Sequence, residues 1–204
     1  PCAKTASTNG QTIYLPQFKT LGSKKEAICI SALVDHEMMH LKWSNFVHFT
    51  AFSEDMVLKH GEKYGAFASG LLNTIEDYWG ELAQAKVHPG SRMNILAGVP
   101  VLIDLGFYGP VQDEPPVLMA VSNMALHYLC AKCYSVPELV AFSNSHQDAL
   151  KARISDVEYT QLISLLDDAD NCASTVDASE LAEAIVNLVM QMALANEELA
   201  SEIE

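Results

Sequence analysis

The sequence predicts a mostly α fold (α+β) with a small N-terminal β element and a helical C-terminal half. Three observations carry this. Half of the 204 residues are hydrophobic and 19% are charged, which suits a chain with a sizeable core and excludes overall disorder. Apolar residues recur at helical spacing over long stretches without Pro or Gly, as between Gly22 and Gly61. Strand-like alternation is confined to Gln11–Pro16, where Ile13 and Leu15 share a face.

Each element follows from local signals. Residues 1–10 are small and polar and end in Asn9-Gly10, a turn that makes the following strand one arm of a hairpin. Ser23 with Glu26 three residues on is a capping box, so a long helix is expected over 24–50 and a shorter piece over 53–60. Gly61 to Gly65 reads as a break. A second long helix is expected over 66–86, with Leu71, Leu72, Ile75, Tyr78, Trp79 and Leu82 as its apolar stripe, ended by His88-Pro89-Gly90-Ser91. Residues 94–116 are apolar but rich in Gly and Pro, and read as an irregular buried connection. Further helices are expected at 117–133, 137–149, 155–169 and 177–200, the last capped by Asp177 or Ser179. The chain divides into residues 1–95, which hold the candidate site, and an acidic helical region, 96–204, packed on it as one compact domain.

The net charge of −14 is unevenly placed. Residues 1–102 carry 9 bases and 9 acids; residues 103–204 carry 3 bases and 17 acids. Such a surface repels phosphate, so neither nucleic acid nor an anionic membrane is an expected partner, and a basic protein partner or simple solubility is the natural reading. Five cysteines at irregular spacing are not a disulfide framework. Pro100 and Asp104 interrupt the apolar stretch 95–108, and Asn187 and Gln191 interrupt 182–195, so no membrane span is expected. A cytoplasmic, reducing compartment is the expectation.

One motif carries chemistry: His36-Glu37-Met38-Met39-His40. Its four-residue spacing stacks two imidazoles on one helix face, where they can converge on a cation. Glu37 then swings toward the open side of the metal, placed to take a proton from a metal-bound water. A zinc site needs a third protein ligand. The extended motif with a third His six residues on is closed, because Phe46 stands there and Trp43 replaces the required glycine. His48 is too far along the helix axis, and His60 and His88 are weak options. The remaining route is an acid on a second helix, within Asn73-Thr74-Ile75-Glu76-Asp77-Tyr78-Trp79-Gly80-Glu81. Glu76 is the expected ligand and Asp77 the expected acceptor for a ligand imidazole N–H, with the two roles open to exchange. Asn73 and Glu81 are candidate supporting residues.

These segments resemble the zincin-like metallopeptidase domains at the start of cobaltochelatase T-subunit-like proteins, many of them phage-encoded. The matching features are Thr8 to Pro16 (Thr-Asn-Gly-Gln-Thr-Ile-Tyr-Leu-Pro), Asp35 to His40, Asn73 to Asp77 with Glu81, and His88 to Asn94. They span about residues 5–95. The resemblance implies Zn²⁺ on His36 and His40, Glu37 as base, and an acid of the Glu76-Asp77 pair as third ligand. One departure is Trp79, where the family commonly carries an Arg two residues before the last acid. The implied activity is zinc-dependent hydrolysis of a peptide bond in a protein or peptide substrate. The alternatives are a non-catalytic zinc-binding module working with an AAA+ ATPase of the chelatase type, or a structural phage component. Location would then be the host cytoplasm or the virion.

Other candidates read as structural. Cys130-Ala131-Lys132-Cys133 is a single C-x-x-C late in an apolar helix, expected to be core. His127 on the same helix is expected to be a satisfied histidine. Met38 and Met39 are expected to line core or pocket. Asp167-Asp168-Ala169-Asp170 lacks the Gly and Glu of a calcium loop and reads as a solvated helix end. Tyr78, Tyr108 and Arg92 could stabilise an oxyanion, with nothing in the sequence to choose among them.

Overall fold

In the computed structural model, residues 6–16, 23–111 and 115–203 are described. The N-terminal hairpin is present. Strand β1 (Ser7–Thr8) pairs antiparallel with β2 (Ile13–Tyr14), Ser7 opposite Tyr14 and Thr8 opposite Ile13. The Asn9 side-chain oxygen accepts from the Gln11 and Thr12 N–H groups at 3.1 and 2.9 Å, which closes the turn that Asn9-Gly10 predicts.

Helices follow: α1 (Lys24–Trp43), α2 (Phe46–His60), α3 (Glu62–Val87), α4 (Pro89–Asp104), α5 (Val117–Tyr134), α6 (Pro137–Lys151), α7 (Asp156–Asp167), α8 (Thr175–Ala195) and α9 (Glu197–Ile203), with a 3₁₀ turn at Asp168–Asn171. The fold is thus mostly helical with a small N-terminal sheet, as the sequence predicts.

Four boundaries differ from expectation. The single helix expected over 24–50 is broken at Ser44-Asn45. Asn45 caps α2 by accepting from the His48 N–H at 3.1 Å, and its own N–H donates to Thr175 Oγ1 at 2.8 Å. α3 begins at Glu62, straight after Gly61. The segment 94–116, expected to be irregular, is helical as far as Asp104. Pro89 stands at the first position of α4, where its missing N–H is harmless, and Gly98 is a packing residue rather than a breaker. A Cβ at Gly98 would lie 2.4 Å from the Ala32 Cβ, so glycine lets α4 close onto α1. The last long helix starts at Thr175, because Ser174 is the cap, accepting from the Asp177 N–H at 3.2 Å; it ends at Asn196.

α3 is the central rod. It packs on α1, α2, α4, α5 and α8. Its apolar face (Phe67, Ala68, Leu71, Leu72, Ile75, Tyr78 and Trp79) joins side chains of α2, α5, α7 and α8 in the main core. A smaller cluster, Cys29, Leu33 and Leu102, seals α1 against α4 with Tyr108 beside it. α8 alone among the described helices is long and apolar enough to cross a membrane by length and composition. Its Leu181, Ile185, Val186, Leu188, Val189 and Met192 are buried within the helical core.

Candidate metal centre

Two polar ladders meet between α1 and α3. His36 and His40 of α1 and Ser44, its C-cap, are spaced four residues apart; on α3, Asn73, Asp77 and Glu81 are spaced likewise. Each set therefore lies on one helix face. Gly80 permits their approach, since a Cβ there would meet the Met39 sulfur at 2.3 Å.

Two rungs pair in antiparallel order, His36 with Glu81 and His40 with Asp77. The His40 Nε2 lies 3.0 Å from Asp77 Oδ1, and the His36 Nε2 lies 3.6 Å from the same oxygen. These three atoms can hold one metal ion, all lying within 4.8 Å of one another. Ligands at zinc distances on a tetrahedron are about 3.3 Å apart, so the separations fit a single small cation. Asp77 Oδ1 is buried with the two imidazole nitrogens as its nearest partners, while the other oxygen of the carboxylate accepts from Asn73 Nδ2 at 3.1 Å. A buried carboxylate oxygen facing two imidazole nitrogens offers the donor set that a divalent cation would take.

The outer nitrogens are also held. The His36 Nδ1–H donates to Glu81 Oε1 at 2.8 Å, and Glu81 Oε2 accepts a short hydrogen bond from the Tyr134 hydroxyl at the end of α5. The His40 Nδ1 meets Ser44 Oγ at 2.9 Å. Ser44 donates onward to Glu76 Oε2 at 3.1 Å, so it must accept from the His40 Nδ1–H. Glu76 Oε1 accepts a short hydrogen bond from Thr175, the first residue of α8. Both imidazoles are thereby fixed with Nε2 turned inward, the support that metal-bound histidines require.

This arrangement exchanges the two acids. Glu76, expected as ligand, is bonded to Ser44 and Thr175, and Asp77 takes the converging position. One residue along a helix is a rotation of about 100°, which turns Glu76 away from the ladder. Asn73 and Glu81 both stand beside the centre. Glu81 does so without the arginine whose place Trp79 takes; Trp79 is buried in the main core.

Glu37 is buried at 4% exposure, and no hydrogen bond or ion pair among the described residues engages it. With His36 and His40 it lines a cleft of about 310 Å³, whose other walls include Ser7 and Thr8 of the hairpin, Phe46 and Phe49 of α2, Asn73 and Glu76. Burial raises the Glu37 carboxyl above its ordinary value, against the pull of the two imidazoles. Burial likewise raises Glu76, against its hydrogen bonds. Burial opposes a charge on His36, but Asp77, Glu81 and Glu37 outweigh it and carry the imidazole up to about 10. Asp77 is lowered: its burial, which alone would raise it, is outweighed by His36 and His40. Two imidazoles thus face a surplus of carboxylate, a balance that a divalent cation would meet.

The remaining candidates lie elsewhere. His48 bonds Ser179 at 2.8 Å, His60 packs edge-on to Tyr64, and His88 contacts Lys42. His127 is buried and satisfied, donating to the Asn123 carbonyl at 2.8 Å and accepting from the Gly109 N–H at 3.3 Å. Burial pushes the Cys133 thiol up to about 12, so it behaves as a core side chain beside Glu81. Tyr78 bonds Asp170, and Arg92 donates to the Cys133 carbonyl at 2.7 Å, so neither points its polar group into the cleft. Sequence reasoning missed Ser44, Tyr134 and Thr175. The four-residue step from His40 could have found Ser44; nothing in the sequence marks the other two. No family model matches this chain, and neither does any curated protein or solved structure.

Proposed function

We propose that this protein is a zinc-dependent peptidase, with the cation held by His36, His40 and Asp77 and with Glu37 as the general base. One observation carries the reading: two inward-facing imidazole nitrogens and a buried carboxylate oxygen converge beside Glu37, which opens on a cleft. The donor set of two nitrogens and one oxygen suits zinc, and it leaves a fourth position for chemistry. The same set suits a non-haem ferrous ion, but a carboxylate directly after the first His favours hydrolysis. The resemblance of residues 5–95 to zincin-like domains supports the same choice.

Zinc, when bound, would acidify a water and polarise the scissile carbonyl. The chain's own residues do the rest. Glu37 accepts the proton of the attacking water and passes it to the leaving amine. Its burial raises its proton affinity, which suits a group that must both take and return a proton near neutrality. Glu81 and Ser44 hold the imidazoles in register. The test is Glu37→Gln. Zinc content should be unchanged while hydrolysis of an unstructured protein substrate falls by about 10²–10⁴-fold. Equal hydrolysis by the variant, or none by the zinc-loaded parent chain, would overturn the proposal.

A further inference from the structure

The cleft beside the centre has a definite chemical character. Two aromatic rings, Phe46 and Phe49, come from the first turn of α2 and stand one turn apart on its face. Neither ring is fully buried, so apolar surface is left facing the cleft. Phe49 packs at its far side against the main core, which fixes it. Phe46 is held from above by the hairpin turn, where an added Cβ at Gly10 would lie 3.0 Å from the ring. Ala6, Ser7 and Thr8, small and uncharged, also line it. The titratable side chains that line the cleft are His36, Glu37, His40 and Glu76; no Lys or Arg among the described residues lines it.

From this we infer that the site selects a polypeptide segment with an aromatic or branched aliphatic side chain beside the scissile bond, seated against Phe46 and Phe49, and rejects an acidic one. The inference rests on the peptidase reading above and names its substrate class. Two preformed rings provide an apolar seat that needs no reordering on binding. A volume of about 310 Å³ admits one large side chain with its flanking backbone. With both imidazoles turned to the centre, Glu37 and Glu76 are the side chains an incoming acidic group would meet without a Lys or Arg beside them, which makes it unfavourable there. A basic side chain gains little, because both oxygens of Glu76 already accept hydrogen bonds, from Ser44 and Thr175.

The test uses the zinc-loaded chain and peptide hydroxamates that differ only in one side chain: benzyl, isobutyl, methyl, carboxyethyl and aminobutyl. Affinity is read by calorimetry, independently of turnover. The benzyl and isobutyl compounds should bind at least about tenfold more tightly than the methyl compound, the scale on which apolar pockets discriminate. The carboxyethyl compound should be the weakest. Phe46→Ala should compress the benzyl-to-methyl ratio while zinc content stays the same. Equal affinity across the series, or a preference for carboxyethyl or aminobutyl, overturns the inference and leaves the metal centre standing. Failure of every hydroxamate on a zinc-loaded chain overturns the peptidase reading, and this inference with it.

Discussion

Replacing Asp77 by Asn separates the two acids that adjoin the centre. The substitution keeps the side chain's shape but removes the charge at Oδ1, which lies 3.0 and 3.6 Å from the two imidazole nitrogens. Glu81 and Glu76 act one and two bonds further out, through His36 Nδ1 and through Ser44. Loss of an outer partner typically lowers metal affinity by about 10–100-fold, or about 1.4–2.7 kcal/mol. Glu81→Gln should fall in that range. Glu76→Gln should fall at or below its lower end, because Ser44 still accepts from His40. Asp77→Asn removes a ligand charge and should exceed about 100-fold, beyond the range of an outer partner. The assay is zinc competition against a chromophoric chelator near neutral pH, with circular dichroism of each metal-free variant as the fold control. A larger loss for Glu76→Gln than for Asp77→Asn, in folded proteins, would refute the assignment.

Other outcomes follow from the same geometry. His36 is held up to about 10 without a cation, so zinc binding near pH 8 should release about one proton, read as a calorimetric enthalpy that varies with the buffer's ionisation enthalpy; buffer-independent heat would contradict this. His127 is pushed down to about 4, chiefly by burial, and its neutral Nε2 accepts from Gly109. Its folded value lies below the ordinary 6.5, so its contribution is complete above pH 6.5 and is lost as pH falls toward 4; His127→Gln should flatten the acid limb of urea-unfolding stability over that interval. Gly98→Ala forces a methyl against the Ala32 Cβ and should destabilise the fold by about 1–3 kcal/mol in urea unfolding.

Much of this architecture is legible in the residues themselves. The capping box at Ser23 and Glu26 marks the start of α1, and the apolar stripe of residues 71–82 marks the buried face of α3. The two histidines and Glu37 declare themselves by spacing. The choice between Glu76 and Asp77 does not, because it depends on which face of α3 meets α1. The ladder Asn73, Asp77, Glu81 contains that information, but only alongside the matching ladder His36, His40, Ser44. The break at Ser44-Asn45 is hidden because its cause is remote: Thr175, from α8, receives the Asn45 N–H and also secures Glu76. Tyr134 is invisible for the same reason, reaching Glu81 from α5. Residues 96–204 thus contribute to the centre as well as the acidic surface. The helix from Pro89 to Asp104 is concealed by its Gly and Pro, which normally break helices and here either start one or tighten a contact.

Zinc K-edge X-ray absorption on the zinc-loaded chain addresses the ligand set most directly. Two imidazole nitrogens and one carboxylate oxygen should appear at about 2.0–2.2 Å, with one zinc per chain, and the imidazole scattering should halve in His40→Ala. A sulfur shell at about 2.3 Å, which would bring in Cys130 or Cys133, or a chain that retains no zinc, would contradict the assigned centre.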